Sequence, residues 1–128
     1  MPLHYGYKEI MEIILFDDNL EEVLLTTKSA IEVNDNIIKF STDIDLYPFK
    51  EYKILNYIQH DRTGRVMRSS FFTISKMINF ITIGGSYEYT FSYKDMKDFY
   101  TDEPVYNNEY HSYLKSIKRD IKLSKLLQ

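Results

Sequence analysis

The sequence contains no cysteine and no tryptophan, and it has only four glycines and three prolines among its 128 residues. The absence of cysteine excludes a disulfide framework, a thiolate metal site and a cysteine nucleophile, and it agrees with a reducing compartment. We therefore expect a cytoplasmic location. No apolar run approaches the roughly 18 residues that a membrane span requires, and the first residues lack the pattern of a secretion signal. We therefore expect no integral membrane association.

The sequence also lacks the residue patterns of common catalytic sites. His4, His60 and His111 are far apart and do not have the paired spacing of a zinc site. No glycine-rich run precedes a helix, so a phosphate-binding loop is excluded, and Gly84-Gly85 suits a hairpin turn instead. We predict no catalytic residues, no metal and no cofactor, and hence a protein that is not an enzyme.

One short pattern keeps a metal-dependent nuclease open as a third alternative. Asp43 or Asp45 precedes Glu51-Tyr52-Lys53, an order in which carboxylates hold Mg²⁺ while a lysine polarises a phosphate. The pattern is common by chance. Pro48 interrupts it, and strand alternation can point Glu51 and Lys53 to solvent, so this hypothesis ranks last.

Aromatic residues are abundant, with 12 Tyr and 8 Phe. Together with 44% hydrophobic and 27% charged residues, they are typical of a globular chain rather than a disordered one. This length supports one core but not two, so we predict a single domain over residues 1–128. Phe, Tyr, Met, Ile, Asn and Lys, all spelled by AT-rich codons, make up nearly half of the chain. They indicate an AT-rich genome, such as that of a low-GC bacterium, a phage or a mobile element.

Most of the chain has the pattern of short β-strands separated by turn residues. The predicted strand regions are residues 8–16, 22–27, 30–41 (a hairpin around Asn34-Asp35-Asn36), 50–59, 66–74, 76–83 and 87–93. Residues 20–30 alone also fit a helix capped by Asn19, and 66–83 fit either two strands or one long bent strand near Ser75. In the last strand four aromatics alternate with polar or small residues and are predicted to share a face toward the core. They are Tyr87, Tyr89, Phe91 and Tyr93.

The periodicity becomes helical after Tyr93. The pattern of Lys94–Tyr100 predicts a short helix with Met96, Phe99 and Tyr100 on one side, ended by Asp102-Glu103-Pro104. A longer amphipathic helix is predicted to follow, capped by Asn107 or Asn108. Its apolar positions are Tyr110, Tyr113, Leu114, Ile117 and Ile121.

The predicted fold class is therefore α+β. We expect an antiparallel β-rich roll or small barrel of about seven strands, followed by the short helix and the long C-terminal helix. This is the topology of pleckstrin-homology-like rolls, in which a helix closes an open end of a bent sheet. The analogy concerns topology alone and does not fix a function.

Charge is distributed unevenly along the chain. Residues 1–110 carry 11 basic and 18 acidic residues, whereas residues 111–128 carry 5 basic and 1 acidic residue. The basic positions fall mostly opposite the apolar side of the long helix, where they could contact nucleic acid or an acidic partner. They are Lys115, Lys118, Arg119, Lys122 and Lys125. A solvated helix face that complements the helix dipole is the simpler alternative.

A second basic group lies at the predicted turn 60–65. Arg62, Arg65 and Arg68 are the only arginines outside the last helix, and arginine recognises carboxylates and phosphates through two parallel hydrogen bonds. Tyrosines in segments expected to be peripheral are further candidates for a partner-binding surface. They are Tyr5, Tyr7, Tyr100 and Tyr106.

The leading hypothesis is a non-enzymatic protein-binding module, or a small accessory or inhibitory protein, whose partner is another protein. The alternative is a nucleic-acid-binding accessory or regulatory protein that uses the arginine turn and the basic helix as one surface. A homodimer is a further hypothesis, because the first predicted hairpin has few lysines to protect its edge from pairing with a second chain.

Overall fold

The computed structural model of the protein describes residues 10–27, 31–46, 49–61, 63–99 and 108–127. These residues form seven antiparallel strands and one C-terminal helix, which confirms the predicted antiparallel β-rich fold with a helix at its end. The elements are β1 (Ile10–Asp17), β2 (Glu22–Thr26), β3 (Glu32–Asn34), β4 (Ile37–Thr42), β5 (Tyr52–His60), β6 (Val66–Ile83), β7 (Ser86–Phe99) and α1 (Asn108–Leu126). The described helix does not combine the length and apolar character needed to cross a membrane.

The strands form one sheet in the order β2-β1-β5-β6-β7-β4-β3. Thr27, which follows β2, makes an isolated antiparallel bridge with Thr42 at the end of β4. The Thr42 hydroxyl also donates to the Thr26 carbonyl oxygen at 3.3 Å. The two ends of the sheet therefore meet along one edge of β4, and the sheet curls into a roll with an inner and an outer face.

β6 and β7 form a long hairpin that turns at Gly84 and Gly85. Both glycines have positive φ angles, 52° and 83°, which a residue without a Cβ adopts readily. The pairing register shifts near Ser75 and near Ile78, and such bulges bend a strand. Residues 66–83 are thus one long bent strand, which was one of the two predicted alternatives.

The predicted short helix over Lys94–Tyr100 is wrong. Residues 94–99 continue β7, where Asp95 pairs with Thr73 and Phe99 pairs with Ser69 of β6. The spacing of Met96 and Phe99 fits a helix locally, but the first half of β6 supplies a long-range partner that favours the strand. Tyr100 lies outside the described residues.

The inner face of the roll is lined by what we call the inner cluster. All four alternating aromatics of β7 contribute to it, which confirms their predicted common face toward the core. Phe91, 1% exposed, packs its ring 5.9 Å from the ring centroid of Phe40. The buried members are Ile13, Leu15, Leu25, Ile38, Phe40, Leu46, Tyr52, Leu55, Tyr57, Phe72, Ile74, Tyr89 and Phe91.

The outer face of the central strands is covered by α1, and the contact forms the outer cluster. Successive strand residues point to opposite faces, so Phe72 enters the inner cluster while Phe71 contacts the helix. All five predicted apolar helix positions pack here, which confirms that side of the helix. The members are Phe16, Ile54, Phe71, Phe99 and Tyr110, with Ile14, Tyr113, Leu114, Ile117 and Ile121 beside them.

Candidate functional site

The solvent side of α1 is the strongest candidate for a binding surface. Lys115, Arg119 and Lys122 are spaced by four and three residues, which places them on one side of a helix, and all three are exposed. None of the carboxylates in the described ranges forms an ion pair with any of these three side chains. Their charges are therefore available to an anionic partner.

Two leucines lie on the same side of the helix as these cations. Leu123 follows Arg119 by four residues, and Leu126 follows Lys122 by four, so they extend the row toward the helix C-terminus. Leu123 is 51% exposed and Leu126 is 79% exposed, and neither belongs to the outer cluster. We name the five residues Lys115, Arg119, Lys122, Leu123 and Leu126 the helix face.

The two other predicted helix cations lie on the flanks of the helix and contact the body of the protein. The Lys118 ammonium is 5.8 Å from the centroid of the Phe16 ring, a cation–π arrangement. The Lys125 ammonium donates to the side-chain oxygen of Asn19 in the turn after β1. Of the five predicted basic contacts in the helix, three, Lys115, Arg119 and Lys122, therefore lie on the side of α1 that faces solvent.

Buried polar groups help to fix the helix on the sheet. Asn56, 2% exposed, donates to the Ser69 hydroxyl oxygen at 3.3 Å, and both residues hydrogen-bond with the Tyr110 hydroxyl. Burial is the main cause that raises the pKa of Tyr110 above its ordinary value. The rings of Phe71 and Tyr110 are 5.4 Å apart. Directional hydrogen bonds and ring packing thus hold the first turn of α1 in one position.

Arg68, one of the three arginines predicted at the turn, is bound within the sheet. Arg68 pairs with Asp98 at 3.2 Å and donates to the Ser70 hydroxyl at 3.1 Å. Arg68 shares its sheet face with Ser70 and Phe72, which is the face opposite α1. Arg68 and the basic side of α1 therefore lie on opposite faces of the sheet. Arg62 lies outside the described residues.

The turn that carries Arg65 is ordered by Asp61. One carboxylate oxygen of Asp61 accepts from the Thr63 hydroxyl, the Thr63 N–H and the Arg65 N–H at 2.6, 2.8 and 3.0 Å. These bonds, led by the one from the Thr63 hydroxyl, lower the pKa of Asp61. Arg65 is exposed at the tip, and Gly64 beside it has a positive φ of 88°.

The predicted tyrosine contacts, Tyr5, Tyr7, Tyr100 and Tyr106, all lie outside the described residues, whereas the residues of the nuclease pattern are described. Glu51 is exposed and pairs with the Lys53 ammonium at 2.9 Å. Within the described part of the chain, no three or more His, Asp or Glu side chains gather closely enough to hold a metal ion.

A cleft of about 450 Å³ opens between the C-terminal half of α1 and the sheet. Its lining residues include three cations, Lys53, Lys94 and Lys125, and three carboxylates, Asp18, Asp95 and Asp120, together with isoleucines of the sheet and of the helix. Because the two signs of charge are equal in number, the cleft has no preference for a ligand of one charge. It marks where the helix separates from the sheet and offers no defined chemistry.

Comparison with known proteins finds no matching family, no matching curated protein and no matching solved structure. The pleckstrin-homology-like topology therefore stays a prediction. The functional interpretation rests on the residues of this chain alone.

Proposed function

We propose that the protein is a non-enzymatic protein-binding module and that the helix face is its binding surface. The observation that carries this proposal is the combination of three cations without described ion partners and two exposed leucines on one side of α1. An acidic segment of a partner protein that also presents apolar side chains matches both features. The carboxylates of such a segment pair with the cations while its apolar residues cover Leu123 and Leu126.

The leucines favour a protein partner over nucleic acid. Phosphate groups are bound by cations, and an exposed leucine gains nothing from a phosphate. The residues before the last helix also carry an excess of acids, and the whole chain has a net charge of −3, which opposes a long polyanion. A short acidic segment that lies along one helix meets less of this repulsion.

The rigid attachment of α1 suits a binding role. A partner that docks on a helix already fixed by the outer cluster and by the Tyr110 hydroxyl does not have to order the helix at the moment of binding. The absence of cysteine supports a reducing compartment, so we place the interaction in the cytoplasm. The pleckstrin-homology-like analogy enters this proposal as topology only.

The proposal is tested with synthetic probes of defined chemistry. The first is a labelled helical peptide with glutamates and leucines on one side, the second is polyglutamate of equal charge, and the third is a thymidine oligonucleotide. Fluorescence anisotropy at low and moderate salt measures the affinity for each. We expect the acidic amphipathic peptide to bind more tightly than polyglutamate and the oligonucleotide, with an affinity that falls as salt rises.

Arg119→Glu and Leu126→Ser separate the two features of the helix face. We expect Arg119→Glu to weaken binding of both acidic peptides by about tenfold, and Leu126→Ser to weaken only the amphipathic peptide. Lys76→Glu is the matched control, because it makes the same change in net charge at an exposed position of β6 that is not part of the helix face. Tighter binding of the oligonucleotide than of the peptides would support the nucleic-acid alternative. An equal loss of peptide affinity in Lys76→Glu would show that the binding depends on net charge and not on the helix face.

A further inference from the structure

The second half of β6 exposes a strand edge. β5 pairs with β6 only up to Thr73, whereas β7 pairs with β6 as far as Ile83. Beyond the bulge at Ile78, the pairing of residues 79–83 with β7 is regular. No other described strand pairs with this segment on the side away from β7. The backbone N–H and C=O groups on this side can therefore form hydrogen bonds with another β-strand.

Within this edge, the segment 79–83, beyond Lys76, carries no charge and is partly apolar. Residues 79–83 read Asn-Phe-Ile-Thr-Ile, and Ile81 and Ile83 are 39% and 56% exposed on the outer face. By contrast, the outermost strands β2 and β3 begin with the exposed acids Glu22 and Glu32. Charged residues are the common protection of an edge strand against pairing, and this segment lacks them.

We propose that this edge pairs with the same edge of a second copy of the chain, so that two sheets join across a twofold axis. Antiparallel pairing centred on Ile81 sets Ile81 against its counterpart, Phe80 against Thr82 and Asn79 against Ile83. Each of these cross-strand pairs is uncharged, so the segment is complementary to itself. The inference is independent of the helix face, which lies on another element.

The local hydrogen bonding of the segment is compatible with this pairing. The Phe80 N–H donates to the side-chain oxygen of its neighbour Asn79 at 2.9 Å. Such a bond within the strand satisfies the donor in the single chain, and a carbonyl of the second copy replaces it in the dimer. Because the paired segment is short, the dimer is weak and forms at high protein concentration.

Sedimentation equilibrium of the full chain from micromolar to millimolar concentration tests this inference. We expect a monomer–dimer equilibrium, and Ile81→Lys, which opposes two lysines across the axis, is expected to weaken the dimer by about tenfold. Ile44→Lys is the matched control, since Ile44 is 42% exposed but lies in the segment after β4. Circular dichroism checks that each variant is folded.

Three outcomes would overturn the inference. The first is a wild-type chain that stays monomeric at millimolar concentration, and the second is a dimer that Ile81→Lys leaves unchanged. The third is a dimer that is lost in Leu24→Lys on β2, or in Leu126→Lys on the helix face, and retained in Ile81→Lys. That result would assign self-association to another surface.

Discussion

The inner and outer clusters lie on opposite faces of the same strands but are built differently. The inner cluster draws side chains from six strands, and its aromatic rings pack directly on each other, as Phe91 does with Phe40. The outer cluster joins one helix to the sheet and includes the buried polar contacts of Asn56, Ser69 and Tyr110. The comparison shows that the strands of the roll form the larger core among themselves. The helix α1 packs on the outside of this core and carries the proposed binding surface.

The largest expected effect comes from truncating the inner cluster. Phe91→Ala removes a ring that is 1% exposed and contacts Tyr52, Phe40 and Tyr89. We expect a loss of about 3–5 kcal/mol in the free energy of unfolding, because the lost burial and the cavity add together. Urea denaturation followed by circular dichroism measures it. A loss below about 1 kcal/mol would contradict the role assigned to the inner cluster.

A smaller effect is expected from the polar contact in the outer cluster. Tyr110→Phe keeps the ring but removes the hydroxyl that bonds with Asn56 and Ser69. We expect a loss of about 1 kcal/mol in the free energy of unfolding at neutral pH, the usual net value of such a bond. Thermal and urea denaturation of the two proteins measure the difference. Unchanged stability would show that the hydroxyl does not fix the helix.

The same variant gives a pH dependence of defined sign. The pKa of Tyr110 is raised in the folded protein by burial, so the folded state keeps this proton at a pH where the unfolded chain has lost it. The stability from this group is fully present below the unfolded pKa of about 10 and is lost as the pH rises through the folded pKa. The advantage of the wild type over Tyr110→Phe should therefore shrink at alkaline pH. Tyr89, whose pKa is also raised by burial, is present in both proteins and cancels from the comparison.

The smallest effect on stability is expected on the exposed side of the same helix. Arg119 is exposed and has no described ion partner, so Arg119→Glu should change the free energy of unfolding by no more than about 0.5 kcal/mol. Urea denaturation checks this value, and the variant then remains suitable for the binding experiment. A large loss of stability would mean that the helix face is structural and would remove the distinction between the two sides of α1.

The strands and the apolar side of α1 could be predicted because their patterns are local. Alternation along the strand placed the aromatics of β7 on one face of the sheet. Spacing by three and four residues placed Ile117 and Ile121 on the side of α1 that packs against the sheet. The prediction of a short helix over 94–100 was wrong because these residues pair with the first half of β6, from Thr73 opposite Asp95 to Ser69 opposite Phe99, which is distant in sequence. Local spacing carries no information about that partner.

The candidate site was predictable only in part for the same reason. The cations of α1 are visible in sequence, but Asp98, which pairs with Arg68, is 30 residues away, and nothing local shows that Arg68 is on the opposite face. Leu123 and Leu126 were missed, although their departure from the spacing of the buried helix positions is a signal that sequence analysis can use. The open edge of β6 could not be foreseen, because it depends on where β5 ends relative to β6.

The junction between β2 and β4 is closed by the isolated bridge between Thr27 and Thr42 and is therefore the easiest one to open. Among the described residues, every other junction around the roll is a ladder of several residues, whereas β2 and β4 are joined by this bridge and one hydroxyl contact. Parting these two strands costs fewer hydrogen bonds than parting any other neighbours around the wall. We therefore expect this seam, which is remote from the β5–β6 junction that α1 covers, to admit water to the aromatic interior before any other junction does.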